Sequence, residues 1–100
     1  MKNYDTISEA TRQLRLEGFT DRFEMEGERL KNLETGTTYS PNELKVLEMH
    51  RFEGISNPSD MSILFAVETA DGRRGSIISS FGLYANRQLL DFMDEVERVS

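Results

Sequence analysis

The chain contains no cysteine, a single histidine, few positive charges, and no apolar run of membrane-spanning length. Without cysteine it has neither disulfides nor thiolate metal ligands. One histidine falls short of the three or four ligands a metal site usually takes, so no metal site is expected. No stretch approaches the roughly 20 apolar residues of a spanning helix, and no membrane partner is expected. The opening Met1-Lys2-Asn3-Tyr4-Asp5 lacks the apolar stretch of a secretory leader, and Asn57-Pro58-Ser59 is barred from glycosylation by its proline. The expected location is cytoplasmic. Against 18 Asp and Glu stand 12 Lys and Arg, for a net charge of −6. Nucleic-acid affinity comes largely from cations at phosphates, and Arg73-Arg74 is the one adjacent basic pair. No nucleic-acid partner is expected.

What is present is a one-domain chain of 100 residues, 37% hydrophobic and 30% charged. That length is enough to bury one core without staples. The sharpest local signal is Asp71-Gly72 between two apolar runs, the signature of a two-residue type I′ hairpin. With Ala70 facing Arg73, Phe65 falls opposite Ile78, Val67 opposite Ser76, and Ile63 opposite Ser80. Alternation then lines one face with Met61, Ile63, Phe65, Val67 and Ile78. The second face carries Leu64, Ala66, Ile77 and Phe81, interrupted by Ser62, Glu68 and Ser79. Left uncovered, that second face is a surface for a protein partner or a homodimer; otherwise the chain's own elements cover it.

The other elements follow from shorter signals. Thr6 with Glu9 reads as a capping box for a helix from Ser8 to Glu17, closed by Gly18. Phe23, Met25 and Gly27 alternate with Glu24, Glu26 and Glu28 as a strand, and a second strand covers Leu30 to Leu33. Ser40-Pro41-Asn42-Glu43 reads as one capped helical turn. Lys45 to Glu53 is extended, with Val46, His50 and Phe52 on one side. Gly54 to Asp60 is a loop. Asn86 caps a last helix to Arg98, with Leu89, Phe92, Met93 and Val96 as its apolar stripe. The expected fold is α+β: a meander of about five short antiparallel strands, with the N-terminal and C-terminal helices packed on one face. Double-stranded RNA-binding domains share that helix–strands–helix order. Their last helix meets phosphates with cations, whereas this one carries Asp91, Asp94, Glu95 and Glu97.

Met1-Lys2-Asn3-Tyr4-Asp5-Thr6, Ser8-Glu9-Ala10 and Gly18-Phe19-Thr20, together with Arg51-Phe52-Glu53-Gly54, Ser56-Asn57-Pro58, Asp60 and Ser62-Ile63-Leu64, carry a resemblance over almost the whole chain. The sequence resembles a family of short, uncharacterised bacterial proteins, some of which bear the name phosphoribosylpyrophosphate synthetase. That name implies an enzyme acting on nucleotides and ribose phosphates. No Gly-rich loop follows a strand and opens a helix here, the usual way to cradle phosphates.

Among candidate ligand-binding residues, His50, Arg51 and Glu53 form the most chemically varied cluster. Arg51 can contact an anion and His50 can carry a proton. The plainer alternative is a half-buried His beside Phe52, with Arg51 and Glu53 in cross-strand pairs. Asn57 and Asp60 lie in a segment whose composition suits either a ligand loop or a turn. Glu24, Glu26 and Glu28 guard a strand edge or attract a cation. Ser76, Ser79 and Ser80 lack a nucleophile motif, and no catalytic residue or cofactor is assigned. The reading that results is a small non-catalytic binding or regulatory module; the alternative is the nucleotide or ribose-phosphate enzyme that the resemblance implies.

Overall fold

The computed structural model describes residues 6–52, 62–80 and 87–99. Thr6 opens helix α1 (Ile7–Leu16), its hydroxyl accepting the Glu9 N–H at 3.1 Å. Gly18, at φ +102, ends it in the left-handed conformation a C-terminal cap requires. Strands β1 (Asp21–Glu26), β2 (Arg29–Asn32) and β3 (Thr38–Tyr39) follow. Ser40 and Glu43 then bracket a 3-10 turn, Pro41–Glu43, as a complete capping box. Strands β4 (Leu44–Phe52), β5 (Ser62–Thr69) and β6 (Arg74–Ser80), helix α2 (Arg87–Asp94) and strand β7 (Glu97–Arg98) complete the order. Asn86, expected as a helix cap, lies outside the described residues.

The expected antiparallel meander is not what forms. Seven strands in the order β3-β2-β1-β6-β5-β4-β7 make one mixed sheet, curled into a half-barrel. Two pairings are parallel: β1 with β6 through Asp21↔Gly75 and Arg22↔Ser76, and β7 with β4 through Lys45↔Glu97 and Val46↔Arg98. Both join segments far apart in sequence, which local patterning does not register. Gly75 permits the first. A β-carbon there would overlap the Asp21 carbonyl and lie 2.6 Å from the Phe23 ring. The second arises because the last helix is shorter than its apolar stripe. Glu95 and Val96 donate to Phe92 and Met93, an i→i+3 tightening that ends α2, and the Val99 N–H then reaches the Val46 carbonyl at 2.8 Å.

The two helices pack on opposite faces, not on one. Leu89, Phe92 and Met93 of α2, with Val96, fill the side lined by Phe23, Leu30, Tyr39, Leu44, Val46, Phe65, Val67 and Ile77. Ala10 and Leu14 of α1, with Phe19, cover Leu64 and Ala66 on the other. This explains the unbroken run Leu64-Phe65-Ala66-Val67: both faces of β5 are buried, so alternation gives way to continuous apolarity.

The hairpin forms, but one residue out of the expected register. Phe65 lies opposite Ile77, and Leu64 opposite Ile78. Among the described residues only glycines have positive φ, so Asp71 cannot occupy a type I′ position. The loop instead has three residues, Ala70–Gly72, with Gly72 at φ +88 and its N–H on the Thr69 carbonyl at 3.0 Å. Thr69 and Arg73 close it, the Thr69 N–H reaching the Arg73 carbonyl at 2.8 Å. The slip exchanges the isoleucines: Ile77 is buried in the core and Ile78 is 51% exposed. A bulge after Val46 has a similar effect on β4. Val46 faces the α2 side, whereas Leu47 and Phe52 pack toward α1, so Val46 and Phe52 do not share a side. Among the described residues no helix is long and apolar enough to cross a membrane.

Candidate functional site

The densest polar arrangement lies where the β5–β6 loop meets β1, β2 and β3. Arg73 clamps the Asp21 carboxylate with both arms, Nε to Oδ2 at 2.5 Å and Nη2 to Oδ1 at 3.0 Å. Asn32, wholly buried, donates from Nδ2 to Asp21 Oδ2 at 2.8 Å and accepts the Glu34 N–H at 2.8 Å on its Oδ1. Beside them the Tyr39 hydroxyl donates to the Asp71 carboxylate at 3.1 Å, and the Thr69 hydroxyl donates to the same group. Thr69 Oγ1 in turn accepts the Arg73 N–H at 2.9 Å. No buried side-chain nitrogen or oxygen among the described residues lacks a partner.

The electrostatics follow from this geometry. Asp21 is held below the usual carboxylate range, chiefly by the Arg73 hydrogen bond and against the opposing effect of burial. The Thr69 hydroxyl does most to lower Asp71. Burial, followed by the Asp71 carboxylate, raises Tyr39, and Asp21 raises Arg73. Glu43 is lowered by the Ser40 N–H and hydroxyl. Each shift deepens the protonation state the group already holds at neutral pH. Chemically, the cluster fixes charges and shape; it does not poise a proton for transfer.

Next to the loop is a cleft of about 410 Å³ lined by Pro41 to Lys45, Glu68 to Ala70, Glu95 and Glu97. Its acid is partly committed, because Glu43 meets Arg29 at 3.2 Å and Glu68 meets Arg74 at 2.7 Å. Among the described residues no cluster of three potential metal ligands occurs.

Only some of the residues singled out from sequence lie among those described. His50 and Arg51 follow the bulge on β4, and His50 Nε2 lies 3.0 Å from Glu48 Oε1, a neighbour the sequence did not suggest. Glu53, Asn57 and Asp60 fall outside the described residues, as does Phe81. Leu64 and Ala66 are fully buried beneath α1, and Ile77 is buried on the opposite face. These three therefore form no common exposed surface, because the slipped register and the cover of α1 divide them. Glu24 and Glu26 stand exposed on β1, Glu26 within 3.5 Å of Lys31, whereas Glu28 lies in the turn that follows. Ser79 is buried.

A second concavity, about 390 Å³, runs between α1 and β6, lined by Ile7, Ser8, Thr11, Arg12, Arg15 and Ile78. Ser8, Arg12 and Arg15 recur at helical spacing, which sets them on one flank. Sequence reasoning misses this groove because the expected register sets Ile78 on the face of Phe65 and Val67, whereas the slip turns it outward. Comparison with known proteins gives no matching family model, no similar curated protein and no similar solved structure.

Proposed function

We infer that this chain is a small non-catalytic binding or regulatory module. The observation that supports the reading is the commitment of the ionisable groups clustered around the β5–β6 loop, of which Asp21 and Tyr39 are buried. Asp21, Tyr39, Asp71 and Arg73 are bonded to one another, to Asn32 or to Thr69, and their pKa values move away from neutrality. General acid–base catalysis needs the opposite: a group brought toward working pH and facing open space. A rigid sheet covered on both faces, with concavities at its surface, suits recognition by shape and charge.

The test is incubation of the full chain with ATP, ribose 5-phosphate and Mg²⁺, followed by phosphorus NMR for turnover and amide shifts for binding. No new phosphate species is expected. Turnover that disappears in Arg51→Ala would overturn the non-catalytic reading.

A further inference from the structure

We propose that the groove between α1 and β6 docks a short acidic segment of a partner protein, with its carboxylates on Arg12 and Arg15 and one aliphatic side chain against Ile78. This rests on the binding-module reading and names its surface. The chain carries a net charge of −6, and most of its described cations are already used within the fold. Arg22, Arg29, Lys31, Arg73, Arg74, Arg87 and Arg98 each lie within 4 Å of a carboxylate. Among the described residues Arg12 and Arg15 have no such partner, and both open onto this one groove. In a chain with acid to spare, two uncompensated guanidinium groups side by side are a local inversion of charge.

The same groove holds Ile78, 51% exposed, with Ile7 nearby. A bare phosphate would neutralise the arginines and leave this apolar floor wet. An RNA strand would need a wider basic field than two residues on an acidic molecule. A peptide with carboxylates flanking a leucine matches both features, and arginine forks pair well with carboxylates. The volume, about 390 Å³, lies at the small end of the range of binding sites.

The experiment titrates isotope-labelled full chain with acetyl-Asp-Asp-Leu-Asp-Asp-amide, following the Ile78 methyl and the Arg12 and Arg15 Nε signals. Saturable shifts at all three are expected. Affinity should fall about tenfold or more in the Arg12→Gln/Arg15→Gln double variant and severalfold in Ile78→Ser. It should also fall as salt rises from about 0.05 M to about 0.5 M. Arg87→Gln, remote from the groove, should bind as wild type. The proposal is overturned if Ile78 does not shift, or if inorganic phosphate or the peptide with Ala for Leu gives the same shifts and affinity. It is likewise overturned if light scattering shows copies associating through the groove, which would make a second copy the occupant. Absence of peptide binding without turnover removes the groove alone and leaves the module reading standing; turnover removes the module reading itself.

Discussion

Arg73, at the head of β6, and the pair Arg12 and Arg15, beside its middle, carry the same charge in contrasting settings. Arg73 holds a carboxylate that is 6% exposed and joins β1 to the β5–β6 hairpin, so its charge serves the fold. Arg12 and Arg15 meet no carboxylate among the described residues and line an open groove. The difference shows how an acidic chain distributes scarce cations. Where burial would strand an anion, an arginine reaches in from the surface to pair with it; where arginine is left over, it marks surface available to something else.

The contrast can be broken or sharpened by substitution, since the first region should be costly to disturb and the second nearly silent. Gly75→Ala should have the largest effect, lowering stability by about 4 kcal/mol, because the overlap is with backbone and no rotamer relieves it. Urea denaturation reads this as a shift in midpoint. Ile77→Ala should cost about 3 kcal/mol and Ile78→Ala under about 0.5 kcal/mol. Equal losses at the two positions would mean that the hairpin register described above is wrong. Asp21→Ala should cost about 2 kcal/mol, since the buried Asn32 amide loses its acceptor. It should also flatten the acid limb of stability. Asp21 has a lowered folded pKa, so its contribution is present above the unfolded value of about 4 and disappears as pH falls through the folded one. A pH series of urea midpoints should therefore be level near neutrality and drop below about pH 4, less steeply in the variant.

Features set by neighbouring residues were legible in the sequence. Thr6 and Glu9, Gly18, and the Ser40–Glu43 box each act within a few positions, and each appears where the residue types direct it. The hairpin was legible, yet its register turned on one detail. Thr69 uses its hydroxyl to bind both Asp71 and the Arg73 N–H, and this draws a third residue into the loop. Asp21 and Asn32 gave no signal: one precedes the visible alternation, and the other reads as an ordinary polar strand residue. Asn32 bonds Asp21, and the Asp21 bond to Arg73 depends on the chain returning from 52 residues away. For the same reason the short strand β7 was hidden inside an apolar stripe that runs to Val96.

The seam between β1 and β6 ties residue 21 to residue 75. On a ribosome, the first three strands would thus emerge well before the strand that receives them, with Phe23, Leu30 and Tyr39 still open to solvent. Synthesis order and assembly order are therefore at odds in this protein: its early portion must wait, sticky and unfinished, until the later portion has left the exit tunnel.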